Sequence, residues 1–311
     1  MITIKPYSAD KRDLWDSFVQ TAKNGLFMFK RGFMEYHADR FVDASLMFYN
    51  DDDLIALLPA SRHGNELVTH GGLTYGGFVT NDKMKQHYML ACFDALKMYC
   101  AANAIVSIDY KIVPYIYHRL PAQEDLYALY RNCASVIKIE PASVVDFSCP
   151  LKLPKGRKAQ IARAKREGTL ICETTDFDAF ISLENAVLKK YHNTKAVHTG
   201  AELTLLHDRF SENIKCFGAY LNGELIAGTV LFIYDAVVHT QYLAANDRGR
   251  EIGALDLVIV SCIECFKKTK RYFDFGISTE NLGHVLNMGL IAQKESFGAR
   301  TIAYQAWKVE V

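Results

Sequence analysis

A glutamate and a histidine follow one strongly apolar strand pattern in the second half of the chain. Glu280 and His284 come after the pattern Phe273–Ile277, and ligand clefts of α/β sheets usually lie at such strand ends. Histidine titrates near neutral pH, and burial raises the pKa of a glutamate towards that range. Either side chain is therefore a candidate general base. The alternatives are a helix cap or a contact with a substrate hydroxyl.

Polar and glycine-rich segments of the first half form a second group of candidates. The segment Gly71-Gly72-Leu73-Thr74-Tyr75-Gly76-Gly77 holds four glycines in seven positions, which predicts a close approach of the backbone to a ligand or an awkward turn. It is not a phosphate-binding P-loop, because no Gly-Lys-Ser/Thr follows it. Upstream, Tyr36 and Arg40 share one helical face, beside His37. Arg40 could hold a phosphate bidentately, or the face is an ordinary polar one.

Composition narrows the class of protein. The chain has 311 residues, 50% of them hydrophobic, and a formal net charge of +1, so neither disorder nor a global field for DNA or a membrane surface is indicated. Met1–Lys11 lacks the apolar core of a signal peptide, and no charge-free run reaches the about 20 residues of a membrane span. With eight cysteines, this predicts reduced thiols and a cytoplasmic location. Cys262 and Cys265 lie in a helical pattern that favours buried small residues, so we expect no metal.

The elements that must position these residues form two copies of one unit. Asp53–Ala56 (DLIA) recurs as Glu224–Ala227 (ELIA). In each half, a strand, a glycine-containing turn and a long amphipathic helix then lead to a strand with a central aspartate. A repeat of this size predicts a duplicated domain rather than a solenoid. We expect an N-terminal domain at residues 1–148 and a C-terminal domain at residues 149–311.

The second half gives the more detailed pattern. It predicts a basic helix at 155–168, a hairpin around Asn222-Gly223, a helix at 253–269 and a last helix at 283–297. Helices and strands alternate along both halves. The predicted fold class is therefore α/β (α+β), with each domain a mixed sheet flanked by helices.

Several segments resemble the GNAT N-acyltransferase superfamily. More narrowly, they resemble its double-domain branch, which contains the Fem peptidoglycan-bridge aminoacyltransferases and their relatives in polysaccharide gene clusters. In the second half the segments are Lys155–Gly168, Gln241–Asn246, Phe273–Ser278, Asn287–Leu290 and Lys294–Ala299; in the first half they are Phe33–Phe41 and Gly71–Gly77. The resemblance covers nearly the whole chain and implies tandem GNAT-like domains that transfer an acyl group to an amine.

The resemblance also implies roles for residues of the second half. In most members, the pyrophosphate of acyl-CoA lies on backbone amides where the central strand turns into its helix, which here is Asn246–Ala254. The residues expected to hold acetyl-CoA or another acyl-CoA are Arg248, Gly249, Arg250 and Gly253, although Asp247 and Glu251 depart from the family pattern. The Fem group has a lysine at the position of Lys294, where it is associated with the carbonyl or phosphate of the donor. Lys294 therefore joins Glu280 and His284 as a catalytic candidate.

The acceptor is expected between the two domains. In relatives, the region of Tyr36 contributes to binding an acceptor that is often a sugar nucleotide. The residues expected to bind the acceptor are Tyr36, His37, Arg40, Thr74, Tyr75, Gly76 and Gly77 on one side, and Gln241, Tyr242, Ser278 and Asn287 on the other.

The predicted function is an acyl-CoA-dependent N-acyltransferase that acts on an amino sugar or another small amine in cell-surface polysaccharide biosynthesis. One alternative keeps the enzyme class and takes aminoacyl-tRNA as donor, because the basic stretch 152–166 could contact RNA phosphates. Another is a catalytically silent binding protein that retains only the fold. The sequence names neither the acyl group nor the acceptor.

Overall fold

The computed structural model describes residues 1–191 and 193–311, which divide into two compact units. Unit 1 comprises Met1–Glu140, Asn281–His284 and Ala303–Val311, and unit 2 comprises Pro141–Glu280 and Val285–Ile302. Both units combine helices with mixed sheets, so the predicted α/β class is confirmed. The domain limits predicted at residues 148 and 149 stay a prediction.

The elements of the first part of the chain are, in order, β1 (Ile2–Pro6), α1 (Arg12–Thr21), α2 (Arg31–Met34), β2 (Val42–Asp43), β3 (Leu46–Asn50), β4 (Asp53–Leu58), β5 (Ser61–His63), β6 (Glu66–Val68), β7 (Val79–Thr80), α3 (Gln86–Ala102), β8 (Ser107–Lys111), α4 (Glu124–Arg131) and β9 (Ser135–Asp146).

The elements of the remaining part are α5 (Lys155–Arg166), β10 (Leu170–Thr174), α6 (Phe177–His192), α7 (Gly200–Arg209), β11 (Ile214–Leu221), β12 (Glu224–Ile233), β13 (Val237–Ala245), α8 (Asp247–Ile252), α9 (Ala254–Phe266), β14 (Tyr272–Ile277), β15 (Thr279–Glu280), β16 (Val285–Leu286), α10 (Met288–Glu295) and β17 (Arg300–Glu310).

Unit 1 has two sheets. In one the strand order is β1-β3-β4-β7, with neighbours antiparallel. In the other, the order is β17-β8-β6-β5-β2, with β6 and β8 parallel. The repeated segment Asp53–Ala56 lies in β4, which forms a hairpin with β3. Its apolar residues pack with α3 and β8 in one core, around Phe48, Phe93 and Tyr110.

Unit 2 is built on one mixed sheet with the strand order β10-β11-β12-β13-β14-β9. Its neighbours are antiparallel except β13 and β14, which are parallel. Helices α6 and α9 both pack on β12 and β13. The core between α9 and the sheet includes Ile226, Leu231, Val258 and Phe273, each of them buried. This sheet and its helices carry the candidate site.

Local sequence explains several boundaries of unit 2. Thr199 and Glu202 form a reciprocal capping box at the start of α7, which satisfies amides that the helix leaves unpaired. Asn222 and Gly223 both have positive φ, of 53° and 83°, between antiparallel β11 and β12. A tight hairpin turn whose twist matches the strands requires this geometry, so the predicted hairpin is confirmed. α5 ends shortly before Gly168, which also has positive φ.

The last predicted helix, at 283–297, is wrong at its start. Gly283, at the predicted start, has φ of 89°, which helical backbone does not allow, and Asn281 and Leu282 before it have φ of 49° and 53°. A short hairpin of β15 and β16 occupies this segment, and α10 begins only after Asn287, whose side chain accepts a hydrogen bond from the amide of Leu290. Among the described residues, no helix is both long and apolar enough to cross a membrane.

Candidate functional site

Two bulges in the sheet of unit 2 separate its parallel strands. β13 and β14 are in register over Val237–His239 and Tyr272–Asp274, where their pairing ends. β13 carries an extra residue, Gln241, because Val230 is opposite Tyr242 while Leu231 is opposite Thr240. β14 carries an irregularity between Asp274 and Ile277 in its pairing with β9. Bulges bend the strand that contains them, so the two strands diverge after His239 and Asp274.

A cavity of about 740 Å³ lies at this divergence. Leu243 and Ala245 line it from β13, and Phe275 lines it from β14. Its charged wall residues come from α5, α6, α8, α9, β15 and α10; they are Arg157, Glu184, Arg250, Asp256, Glu280 and Lys294. An apolar cavity with a few converging charged groups is the expected form of a small-molecule site.

Lys294 is the most buried cation of this wall. It lies on α10 with 5% of its surface exposed. Its Nζ donates hydrogen bonds to the carbonyls of Gly276, at 3.1 Å, and Ile277, at 2.5 Å. Burial lowers the pKa of Lys294 to about 8, opposed by the carboxylate of Asp274. The bulge of β14 therefore holds an ammonium group that is cationic at neutral pH and close to its titration range.

A buried acid supports the bulge that Lys294 contacts. Asp274 is fully buried, and its Oδ2 lies 3.1 Å from Nδ1 of His239. Its Oδ1 accepts a hydrogen bond from the amide of Gly276 at 2.7 Å. Gly276 has φ of 68°, which favours glycine. Asp274 therefore fixes the backbone whose carbonyls hold Lys294, which makes it a positioning residue.

Glu184 on α6 is a functional candidate that the sequence reasoning missed. It is 6% exposed, and its Oε2 has no hydrogen-bond partner among the described residues. Burial raises the pKa of this carboxyl to about 7. A signal was present in the sequence, because Glu184 falls at helical spacing on the apolar stripe of Phe180, Ile181 and Leu188. Burying a charged side chain among apolar ones costs free energy, so a glutamate within an apolar stripe indicates a functional role.

Arg157 and Asp256 form a fixed ion pair on the cavity wall. Nη1 of Arg157 donates to Asp256, Nε donates to Oγ of Ser296 at 3.1 Å, and the guanidinium lies 4.4 Å from the ring centroid of Phe297. Arg157 is 17% exposed in its side chain and Asp256 9%. These contacts tie α5 to α9 and to the end of α10. Arg157 therefore belongs to the site, whereas the sequence had grouped it with residues for RNA.

The segment predicted as a phosphate-binding turn, 246–254, forms a short helix, α8. The side chain of Asn246 accepts the amide hydrogen of Gly249 at 2.8 Å, so this amide is already bonded. A Cβ at Gly249 would lie 2.3 Å from the carbonyl oxygen of Ile226. Gly253 has φ of 79° and separates α8 from α9. Both glycines line the cavity, and both are required by backbone packing.

The two arginines of this segment differ in environment. Arg248 is exposed and pairs with Glu167 at 2.7 Å and with Glu251 at 2.9 Å. Arg250 lines the cavity, donates Nε to the carbonyl of Ala245 at 3.2 Å, and lies 4.2 Å from the ring centroid of Tyr191. Arg250 is therefore the better placed of the two to meet an anion in the cavity.

Other predicted residues of unit 2 lie at or near this wall. Glu280 and Asn287 both line the cavity, and Nδ2 of Asn287 donates to Glu280 at 2.8 Å. Ser278 is fully buried beside them in the chain. Tyr242 follows the bulge residue Gln241, and its hydroxyl lies 2.7 Å from Nδ1 of His198.

His284 lies outside the cavity, on an exposed turn that belongs to unit 1. Its amide donates to the carbonyl of Asn281 at 3.1 Å. An exposed imidazole has no wall around it to exclude water. The catalytic role predicted for His284 stays a prediction without a contact that favours it.

The predicted acceptor residues of unit 1 form a packed aromatic group of their own. The rings of Tyr36 and His37 have centroids 4.2 Å apart, and the guanidinium of Arg40 lies 5.4 Å from the ring centroid of Tyr36. The hydroxyl of Tyr75 is bonded to those of Tyr117, at 2.7 Å, and Tyr304, at 2.6 Å. These contacts give the residues a structural role, and their binding of an acceptor stays a prediction.

The glycines of the same segment have packing reasons. A Cβ at Gly72 would lie 2.0 Å from Nε2 of His37, and one at Gly76 would lie 2.0 Å from the carbonyl oxygen of Thr69. Gly77 has φ of 77°, and a Cβ there would lie 2.7 Å from the hydroxyl of Tyr110. Close approach between protein segments therefore explains the glycine density around Thr74.

Comparison with known proteins identifies unit 2. Residues 155–282 match the family model of an acetyltransferase (GNAT) domain. The chain contains a GNAT acetyltransferase domain. The matched range includes Glu184, Arg250, Asp274 and Glu280, and Lys294 lies beyond it. No curated protein matches the chain by sequence.

Solved structures extend the similarity to both units. FemX is 10% identical with a TM-score of 0.70, over 99% of this chain and 97% of that one. A tandem GNAT protein from the clavulanic acid biosynthesis pathway is 10% identical with a TM-score of 0.57, over 100% and 98%. L-PGS from Bacillus licheniformis is 12% identical with a TM-score of 0.62, over 98% and 92%. The fold is therefore that of tandem GNAT proteins with Fem-like neighbours. The acetyltransferase (GNAT) domain at residues 155–282 indicates an acyltransferase.

Proposed function

We propose that this acyltransferase moves an acyl group from acyl-CoA to the amine of an amino sugar or another small amine. The observation that carries the proposal is the cavity at the diverging ends of β13 and β14, with the buried ammonium group of Lys294 on its wall. Aminolysis of a thioester builds negative charge on the carbonyl oxygen, and a pre-positioned cation in a water-poor site stabilises that charge. Lys294 supplies such a cation.

The fit of an acyl-CoA depends on what the cavity offers to an anion. The amide of Gly249 is bonded to Asn246, and Arg248 is bonded to two carboxylates. Arg250 remains at the wall with one hydrogen bond to a carbonyl. The residues fit a bound anion through Arg250, and we assign the main phosphate contact of the proposed donor to this side chain.

The acceptor and its biology complete the proposal. We propose a sugar nucleotide or related amine as acceptor, and a role in cell-surface polysaccharide biosynthesis. The resemblance to relatives in polysaccharide gene clusters supports this choice. A cytoplasmic location belongs to the same proposal, supported by eight cysteines that disulfide-forming compartments would oxidise.

One surface favours a second candidate, aminoacyl-tRNA as the donor. The helix α5 and the residues before it expose Lys152, Lys155, Lys158, Lys165 and Arg166. A row of exposed cations attracts the phosphates of RNA, with an affinity that falls steeply as salt rises. Arg157 and Arg163 do not add to this surface, because they are bonded to Asp256 and Glu251.

Ligand binding separates the two candidates. The purified chain is heated with acetyl-CoA, with UDP-linked sugars and with tRNA, each at two salt concentrations, and the shift of the melting temperature is measured. A shift with acetyl-CoA that is reduced in Arg250→Ala and kept in Arg248→Ala supports the acyl-CoA donor. A shift with tRNA alone, abolished by salt, supports aminoacyl-tRNA and overturns the proposal. The exposed Lys267→Ala, whose lysine pairs with Glu264 on the surface, is the matched control.

A further inference from the structure

Glu184, whose Oε2 has no hydrogen-bond partner among the described residues, lies on α6, a helix that packs on β12 and β13 and lines the cavity. On α6, Phe177, Phe180 and Ile181 are buried, and Glu184 continues their stripe with 6% exposure. Its neighbours one turn further on, Val187 and Leu188, line the same cavity. Glu184 therefore projects from an apolar helix face into the space where a substrate would lie.

The charge of Glu184 is not balanced by the fold. Oε2 of Glu184 has no hydrogen-bond partner among the described residues. A buried carboxylate without a donor costs several kcal/mol, and proteins normally pair it or replace it. An acid that the fold leaves unsatisfied at a cavity wall is suited to a cationic or proton-donating ligand.

The other ionisable groups around the cavity are cations, a neutral tyrosine, or acids that already have a hydrogen-bond partner. Tyr242 on β13 interacts electrostatically with Glu184. The other ionisable groups that line the cavity are Arg157 on α5, Arg250 on α8, Asp256 on α9, Glu280 on β15 and Lys294 on α10. Asp256 is paired with Arg157, and Glu280 is exposed and bonded to Asn287. Among these acids, Glu184 combines burial with an unbonded oxygen.

We propose that Glu184 takes a proton from the ammonium group of the acceptor and so generates the amine that attacks the acyl carbonyl. This assignment rests on the proposed function. The N–H bond of the ammonium breaks, its proton moves to the carboxylate of Glu184, and its electron pair becomes the nucleophile. A C–N bond then forms and the C–S bond to CoA breaks. The leaving thiolate takes the second nitrogen proton, and Glu184 returns its proton to water.

The environment of Glu184 suits this task. Burial raises the pKa of its carboxyl to about 7. A base with a pKa near the working pH combines a useful ionised fraction with adequate proton affinity. The same carboxylate also attracts the ammonium form of the acceptor, which is the dominant form of an amine at neutral pH.

The pH dependence of turnover tests the role of Glu184. Release of CoA from acetyl-CoA is measured with a panel of amino sugars, from pH 5.5 to pH 8, for the wild-type chain, Glu184→Gln and Glu184→Asp. We expect kcat/KM of the wild type to rise about tenfold per pH unit below pH 7, which forms the acidic limb of the profile, and then to level off. In Glu184→Gln, kcat/KM at pH 7 should fall about 100-fold or more, and the acidic limb should disappear. Glu184→Asp should keep the limb at reduced rate.

Two controls make the outcome decisive. Glu264→Gln on the surface of α9 should match the wild type, and thermal unfolding of each variant shows that it is folded. If Glu280→Gln removes the limb and Glu184→Gln keeps it, the assignment to Glu184 is overturned. An active wild type whose profile is unchanged in Glu184→Gln overturns it equally, and leaves the proposed function intact. A wild type that transfers acetyl to no amine refutes the proposed function, and the proton transfer with it.

A measurement without turnover gives a second, independent decision. In protein labelled with ¹³C at the glutamate carboxyls, the resonance that disappears in Glu184→Gln reports the titration of Glu184. We expect a midpoint near pH 7. A midpoint near the ordinary value of about 4.3 would show an ionised, solvated carboxylate and would overturn the proposal.

Discussion

Replacing Glu184 by glutamine should remove a specific pH dependence from the stability of unit 2. The carboxyl has a pKa of about 7 in the folded protein, raised by burial from its ordinary value of 4.5. Between these values the folded chain holds a proton that the unfolded chain has released. Stability from this group is therefore fully present below about pH 4.5 and is lost as pH rises through 7.

The size of this effect follows from the two pKa values. One pH unit of difference corresponds to about 1.4 kcal/mol, so the gap amounts to about 3 kcal/mol of unfolding free energy. The wild type should lose about 2.5 kcal/mol of this between pH 5 and pH 8 relative to Glu184→Gln. Contributions of other groups are common to both proteins and cancel in the comparison. At pH 8 the buried carboxylate of the wild type is ionised whereas the amide of the variant is neutral, so the variant should be the more stable protein.

Hydrogen exchange measures the stability of unit 2 separately from that of unit 1. Both tryptophans, Trp15 and Trp307, lie in unit 1, so their fluorescence does not report on the surroundings of Glu184. Exchange of the amides in β11 and β12, followed by mass spectrometry at pH 5 and pH 8, gives the opening free energy of unit 2. Fluorescence-detected unfolding of the same samples serves as the control and should be unaffected. Parallel pH dependences of the β12 amides in the wild type and Glu184→Gln would refute the reasoning.

Three further predictions address the other parts of the site. Lys294→Ala should lower kcat and kcat/KM together by about 100-fold or more, since one lost oxyanion donor costs about 3 kcal/mol. It should also remove any decline of the rate above pH 8. A raised KM with unchanged kcat would contradict this prediction. Arg250→Ala should weaken acetyl-CoA binding by about tenfold or more in calorimetry, whereas Arg248→Ala should stay within about twofold, because a charged hydrogen bond contributes about 1.5–3 kcal/mol. Gly249→Ala should destabilise unit 2 by about 1–3 kcal/mol in the exchange assay, since its Cβ would meet a backbone oxygen at 2.3 Å. Gly156→Ala, whose Cβ would meet nothing within 4 Å, should not destabilise it. Equal effects of the two substitutions would refute the packing argument.

Much of the fold could be predicted because it follows from local sequence. The hairpin at Asn222-Gly223 requires only the two residues with positive φ and the alternating strands around them. The start of α7 follows from Thr199 and Glu202 in the same way. The start of α10 could not be predicted, because helical periodicity runs back through residues 283–287 and does not reveal the positive φ that Gly283 adopts.

The site was predicted only in part, for a different reason. Lys294 and Arg250 were found through the family resemblance and Glu280 from its position after a strand, and all three line the cavity. Glu184 was missed because its importance depends on burial, which a single helix pattern does not specify. Arg157 was grouped with exposed cations, since the sequence does not show that Asp256, far along the chain, neutralises it.

Product analysis decides whether the chain transfers an acyl group from acyl-CoA to an amine with the help of Lys294. The wild-type chain and Lys294→Ala are incubated with acetyl-CoA labelled in its acetyl group and with the panel of amino sugars and sugar nucleotides, and the products are identified by mass spectrometry. We expect an N-acetylated product that carries the label, formed in step with CoA release and reduced about 100-fold or more in the variant. Absence of any labelled amide, together with transfer from aminoacyl-tRNA to the same amines, would contradict it.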